Sequence, residues 1–231
     1  MKSVLSLTVL LIGLMISVAS AAVPKVMGGK VATPEASSCI ATANAYDTFQ
    51  GSAANLVDHT SDTGQSYSNT YFADSFQIDG SGNAIDDPIS GPTDLTEMDF
   101  TFSGTVNTVQ IDVTMTAGNT IVPGPAYSFR TSGDSVYSFF DGSSWMLCYS
   151  VAFLLDCSSL LGSSTSSPPS VGTTQTLKIV ATPSLSSITF SVDDVVIITG
   201  SYSFGGKPGI AMVGQTGPGG NLMNNFCATD E

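Results

Sequence analysis

Five short segments decide the fold: TLKIVA (Thr176–Ala181), ITFSVD (Ile188–Asp193), VVIIT (Val195–Thr199), GIAMV (Gly209–Val213) and NNFCA (Asn224–Ala228). In the first, Leu177, Ile179 and Ala181 alternate around Lys178. In the second, Ile188, Phe190 and Val192 alternate with Ser187, Thr189 and Ser191. Alternation at period two places one parity on an apolar face and the other in water, which is the pattern of a half-buried strand. Asp193-Asp194 between two strands reads as a tight turn. Val195 to Ile198 is apolar at both parities, so this strand is expected to lie under a second layer or a loop.

The same pattern extends upstream. Val109, Ile111, Val113 and Met115 alternate with Gln110, Asp112, Thr114 and Thr116, and Met98, Phe100 and Phe102 alternate with Asp99 and Thr101. Turn clusters separate these runs: Asp79-Gly80-Ser81-Gly82-Asn83, Gly91-Pro92, Ala117-Gly118-Asn119, Asp141-Gly142 and Gly217-Pro218-Gly219-Gly220. No window past the N-terminus sustains apolar spacing at i, i+3, i+4 and i+7. Many antiparallel strands joined by such turns predict an all-β sandwich or jelly roll.

The N-terminus reads as a secretory signal. Lys2 supplies the positive end, Val4 to Val18 is nearly all apolar, and Ala19-Ser20-Ala21 has the small-x-small spacing of a cleavage site. Residues 1–21 are therefore expected to be a signal peptide, 22–38 a flexible leader rich in Pro, Gly and small residues, and 39–231 a single domain. No second apolar run closes the chain at Asp230-Glu231, so no C-terminal anchor is expected. The predicted location is outside the cell. The net charge of the 231-residue chain is −13, and it becomes more negative once Lys2 leaves. Such a surface repels phosphate backbones and anionic lipid heads, which disfavours nucleic acid and membranes as partners. The segment Gly162–Gly172 has a linker-like Ser/Thr/Pro composition and is expected to be a long surface loop, since the strand pattern continues on both sides.

The four cysteines, Cys39, Cys148, Cys157 and Cys227, allow three connectivities in an exported chain. The expected one joins Cys148 to Cys157 across a short loop and Cys39 to Cys227 across the domain. In the loop-entropy picture these contribute about 2.7 and about 5 kcal/mol at most. Zinc is disfavoured: there is no Cys-x-x-Cys pair, and the chain has one histidine, His59.

The quoted stretch resembles the concanavalin A-like lectin/glucanase superfamily, in its laminin-G-like jelly-roll branch. Ile188 to Val195 is similar to a family strand pair ending in a V-D-G turn, with Asp194 in place of the glycine. Gly206-Lys207-Pro208-Gly209-Ile210 resembles the G-x-x-G-[IL] start of the next strand. Asn224-Asn225-Phe226 is similar to the closing D-N-F strand. At the front, Tyr46-Asp47-Thr48-Phe49 resembles the opening D-x-F strand, and Leu56 to Tyr67 resembles L-x-x-H-T-x-D-x-G-x-x-W with Tyr67 in place of tryptophan. The resemblance implies an antiparallel two-sheet jelly-roll sandwich. It implies no single activity, because this fold carries enzymes, lectins and adhesion modules.

Catalysis in the family 16 type of glycosidase uses E-x-D-x-x-E or E-x-D-x-E on one strand, so that two carboxylates flank the scissile bond. Here Glu97 and Asp99 share a parity, but Thr101 and Phe102 stand where the second glutamate would fall. His59 reads as part of a structural turn shaped by Asp62 and Gly64. Calcium is a candidate cofactor of this fold, and Asp86, Asp87, Asp134, Asp141, Asp193 and Asp194 are hard-oxygen loop residues without a motif spacing. Tyr127, Arg130, Trp145 and Tyr149 cluster in the middle strands. They are either the core of one sheet or the platform of a shallow carbohydrate groove. The expected function is a secreted, non-catalytic carbohydrate-binding or adhesion domain with a polysaccharide or glycoconjugate partner. An extracellular structural or assembly protein is the alternative, and a divergent glycan hydrolase ranks third. No Asn-x-Ser/Thr sequon occurs in the chain.

Overall fold

A computed structural model describes residues 39–71, 76–87, 93–129, 133–151, 155–202, 206–214 and 219–231. The expected signal peptide and leader, and Arg130, lie outside the described residues. The described strands belong to one compact unit, Glu35–Glu231.

Among the described residues sixteen strands follow one another: β1 Ala45–Asp47, β2 Ala54–Asn55, β3 Tyr67–Tyr71, β4 Phe76–Ile78, β5 Ala84–Asp86, β6 Asp94–Met98, β7 Asn107–Thr114, β8 Gly124–Phe129, β9 Asp134–Phe140, β10 Trp145–Ser150, β11 Ser159–Ser164, β12 Thr174–Thr182, β13 Ser187–Val192, β14 Val195–Ser201, β15 Lys207–Met212 and β16 Leu222–Asp230. They form two antiparallel sheets. One runs β14-β13-β12-β7-β16-β5-β4-β2, with β1 also pairing β16; the other runs β11-β10-β9-β8-β15-β6-β3. The helical content among these residues is three short 3-10 turns. No helix of the described residues is long and apolar enough to cross a membrane.

Period-two alternation builds the interior. Val109, Ile111 and Val113 of β7, Leu177, Ile179 and Ala181 of β12, and Ile188, Phe190 and Val192 of β13 are all buried. Their registers align, with Leu177 opposite both Ile111 and Val192. The facing sheet contributes Tyr127, Val136, Phe140, Trp145, Leu147, Ile210 and Met212 to the same core. Burying each large apolar side chain stabilises the fold by about 1.5–3 kcal/mol. The turn between β13 and β14 places Asp193 and Asp194 at φ 50° and 63°. A two-residue hairpin of this hand needs positive φ at both positions, and aspartate tolerates it better than most residues. Asp193 also accepts the Thr176 backbone N–H, and Asp194 pairs with Lys178.

Two expectations are corrected. The Met98–Phe102 alternation is not a strand along its length: β6 ends at Met98, because Asp99 N–H bonds the Ser66 carbonyl and Phe100 N–H turns back to the Met98 carbonyl. Val195 and Val196 lie under no second layer. They are 60% and 54% exposed, because β14 is an edge strand and only Ile198 is buried.

The disulfides join Cys39 to Cys227, with Cα atoms 6.2 Å apart, and Cys148 to Cys157, 5.0 Å apart. The first ties the chain just before β1 to the central strand β16. Replacing Cys39 and Cys227 together by serine is expected to lower stability by roughly 2–5 kcal/mol. The Cys148/Cys157 pair should cost less, because it closes a loop of nine residues rather than 188. Urea unfolding of the two double variants checks this ordering.

Candidate functional site

The aromatic platform expected at Tyr127, Arg130, Trp145 and Tyr149 is not present among the described residues. Tyr127 and Trp145 are fully buried between the sheets. The Tyr127 hydroxyl donates to the Asn107 carbonyl (2.6 Å), with the Ile179 carbonyl 3.3 Å away, tying β8 to the opposite sheet. The Trp145 ring packs on Phe140 and Phe190, with centroids 5.3 and 5.5 Å away, and its Nε1 donates to the Ser167 carbonyl. Tyr149 is half-buried against Tyr202, centroids 4.5 Å apart, where burial and Tyr149 itself push the Tyr202 hydroxyl up. The physical reason is parity: positions 127, 145 and 149 point the same way as Leu147 and Ile210, into the sandwich. Trp145→Ala is therefore expected to destabilise the fold by about 3–5 kcal/mol, read by urea unfolding.

The opposite parity of the seven-stranded sheet carries a second buried apolar cluster, with Leu95, Ala126, Tyr137, Phe139 and Ala211, and a group of polar side chains beside it. Pairing aligns Ser68, Glu97, Gly209, Ala126, Tyr137 and Cys148 across six strands. Glu97 is fully buried. Lys207 Nζ lies 3.8 Å from Glu97 Oε1 and 2.6 Å from Asp99 Oδ1, and Ser68 Oγ is 3.4 Å from Glu97 Oε1. The side chains of Lys207 and Asp99 are 21% and 61% exposed, so the ion pair opens from a buried carboxylate to solvent. Gly209 permits this arrangement, since a Cβ there would come within 2.6 Å of the Thr96 carbonyl oxygen. Further along the face the Tyr137 hydroxyl bonds Ser150 Oγ and accepts the Cys157 N–H, each at 2.8 Å. Ser150 Oγ also donates to Asp156 at 3.3 Å. The Cys148–Cys157 disulfide thus clips residues 155–158 over this part of the sheet, with Leu155 packed on Phe139 and Tyr137 beneath.

Lys207 was not singled out from the sequence. The signal for it is scarcity: Lys178 and Lys207 are the two Lys or Arg residues among the described ones. Glu97 and Asp99 do share a face, as their spacing predicts. Thr101, at the place of the missing carboxylate, is exposed beyond the end of β6.

His59 serves the fold. Its Nε2 is 2.9 Å from Asp47 Oδ2, while fully buried Asp47 also accepts the Phe49 N–H (2.7 Å) and the Tyr67 hydroxyl (2.9 Å). Asp62 accepts both the N–H and the hydroxyl of Thr48. Together these bonds hold the Leu56–Tyr67 segment onto β1.

The calcium candidates do not converge. Asp86 accepts the backbone and side-chain N–H groups of Asn221, and Asn221 in turn bonds Asn119 and Ile121. Asp87 accepts from Gln77, and Asp141 caps the turn through Ser143 and Ser144. Asp193 and Asp194 are engaged as described above, and Asp134 starts β9. Among the described residues no three His, Cys, Asp or Glu side chains group as a metal-ligand set.

Burial pushes the Asp86 carboxyl up from 3.8 to about 6, against the Asn221 and Gly220 hydrogen bonds, and burial also raises Asp47. A carboxyl with a raised folded-state pKa binds its proton more tightly in the native state. Its contribution is full at low pH and is lost as pH rises through the folded value. Stability is therefore expected to fall between about pH 4 and about pH 6, with an Asp86 share on the order of 3 kcal/mol. Urea midpoints across that window should fall in the wild type and flatten in Asp86→Asn.

No family model and no curated protein matches the sequence. Solved structures do match it in fold. The carbohydrate-binding module CBM66 from Bacillus subtilis is 13% identical with a TM-score of 0.50, over 71% of this chain and 95% of that one. An endo-1,3-β-glucanase from Streptomyces sioyaensis is 14% identical with a TM-score of 0.52, over 80% and 95%. A pseudo β-1,3-glucanase of Mycobacterium tuberculosis is 11% identical with a TM-score of 0.52, over 82% and 99%. The chain has the concanavalin A-like jelly-roll fold. Identities this low speak for the fold alone, and the three neighbours differ in what their names assign to them.

Proposed function

We propose that the chain is an exported, non-catalytic glycan-binding module, with its ligand on the outer face of the seven-stranded sheet around Ser68, Asp99 and Lys207. One observation carries the reading: Lys207 places its ammonium against both Glu97 and Asp99. An exposed carboxylate and an ammonium held against each other are a fixed acceptor and donor for sugar hydroxyls, which is how a few placed polar groups set specificity. The same ammonium argues against hydrolysis through this pair. It lies 3.8 Å from Glu97 and 2.6 Å from Asp99, and so engages both carboxylates that such a reaction would need. Export is supported by the N-terminal pattern and by the two disulfides. A glycan-binding module and glucanases among the fold neighbours support the ligand class.

Affinity electrophoresis in gels cast with polysaccharides tests it. Asp99→Ala lies at the surface and should keep the fold while weakening retardation about tenfold or more, an effect of ~1.4 kcal/mol. Lys207→Ala should weaken retardation as well, with its folding checked by circular dichroism. Unchanged retardation in both variants overturns the site. Release of reducing ends that Glu97→Gln abolishes moves the protein to the hydrolases.

A second reading, an extracellular assembly component, draws on the edge strands. β11 and β14 contain no charged residue, and Leu160, Val195 and Val196 are more than half exposed on them. Uncharged exposed edges favour strand pairing between copies. Sedimentation of the wild type against Val196→Lys separates the two readings, since assembly predicts a larger species that the lysine dissolves.

A further inference from the structure

The end of β11 and the loop that joins it to β12 hold a group of side chains that neither the fold nor the proposed site uses. Ser163, Thr165, Ser166, Ser167, Ser170 and Thr173 are all exposed, and they flank Pro168-Pro169. None of their hydroxyls makes a hydrogen bond to a described residue or an interaction of another kind. Several surface hydroxyls elsewhere among the described residues are put to structural use. Thr48 bonds Asp62, Thr63 bonds the Tyr46 carbonyl, Ser103 bonds Asp230 and Thr105 bonds the Glu231 carbonyl.

The loop is held by its backbone instead. Trp145 Nε1 and Gln175 Nε2 both donate to the Ser167 carbonyl, at 2.9 and 3.2 Å. Gly172 N–H bonds the Met115 carbonyl and Thr173 N–H bonds that of Ser170. The backbone is fixed to the core while the hydroxyls project into solvent. Exposed serine and threonine beside consecutive prolines are the composition of O-linked sugar attachment. The loop's anchor at Met115 also places it beyond the C-terminal end of β7. Lys207 lies toward the other end, where β8 meets Asn107. Sugars on the loop would leave the proposed ligand face open.

We infer that the 163–173 segment is an O-glycan acceptor, with Thr165, Ser166 and Ser170 as principal attachment points; this rests on the export part of the proposed function. The co-substrate is a phosphate-activated sugar. The serine or threonine oxygen attacks the anomeric carbon, and the bond from that carbon to the phosphate oxygen breaks. The phosphate leaves with the electron pair, and the hydroxyl proton passes to a base of the transferase. Nothing is oxidised or reduced. A hydrated glycan at this place also covers the approach to β11, an edge strand without charges, which is one way an open edge is protected from pairing.

The test uses the protein recovered from the culture medium of the organism that makes it. Its intact mass is measured before and after base-catalysed β-elimination, with fragmentation to locate the attached mass. The expected result is an excess in whole sugar units, lost on elimination and located in residues 163–173. Thr165→Val/Ser166→Ala/Ser170→Ala should lose most of it, while Ser143→Ala/Ser144→Ala should keep it. Ser167 is left in place because its φ of 50° would strain most replacements. A secreted chain with the bare mass of its mature sequence overturns the inference and leaves export standing. Sugars mapped only outside the loop also overturn it. A chain that stays in the cell with residues 1–21 attached overturns both.

Discussion

The contact between Trp145 and Phe190, ring centroids 5.5 Å apart, joins the two sheets, and most of the structure follows from it. Trp145 belongs to β10 of the seven-stranded sheet and Phe190 to β13 of the nine-stranded one. Once both point inward, the period-two rule sets every other position on those strands. Leu147 and Tyr149 follow Trp145 to the inside, so Met146, Cys148 and Ser150 face out. A tilted ring contact of this kind adds about 0.5–1.5 kcal/mol to the area it buries. The larger effect is geometric, because the indole also reaches the Ser167 carbonyl and so fixes the loop that follows β11.

The outward face of the seven-stranded sheet inherits what the interior rejects. Glu97 is buried there by its neighbours and is matched by Lys207 and Ser68. A buried ion pair of this sort adds little net stability, because desolvating two charges offsets most of their attraction. Removing one partner alone costs about 3–5 kcal/mol. Stability therefore gives little reason for a lysine at this position, and the ion pair opens to solvent at Asp99.

The extent to which the sequence foretold this differs from segment to segment. The alternation in β7, β12 and β13 was legible because polar residues occupy the outer parity of each strand, so inside and outside could be told apart. In β9 and β10 that contrast is missing. Tyr137 and Phe139 are buried beneath the 155–158 segment on one side, and Val136 and Phe140 in the core on the other, so alternation alone could not say which way Trp145 faced. The Glu97–Lys207 contact depends on β15 pairing with β6 about a hundred residues away, a register that no local spacing encodes. Val195 and Val196 misled for a related reason. An apolar run is the same whether a layer covers it or a sheet simply ends there.

The buried carboxylates sharpen the choice of site. Among the described residues Asp47, Asp86, Asp94 and Glu97 are each 1% exposed or less, in a chain whose acidic residues outnumber its basic ones threefold. Asp86 is held by neutral N–H donors, and it fastens a loop. Asp47 is held by an N–H, a phenol and an imidazole, and it fastens the front segment to β1. In both, the surrounding donors are consumed in joining two pieces of backbone. Glu97 sits within a strand that β3 and β15 hold on both sides, and Lys207 and Ser68 meet it there. Lys207 is one of two Lys or Arg residues among the described ones, and its ammonium reaches outward to a second carboxylate at Asp99. A scarce cation that reaches from a buried carboxylate to solvent is what separates this cluster from those at Asp47 and Asp86.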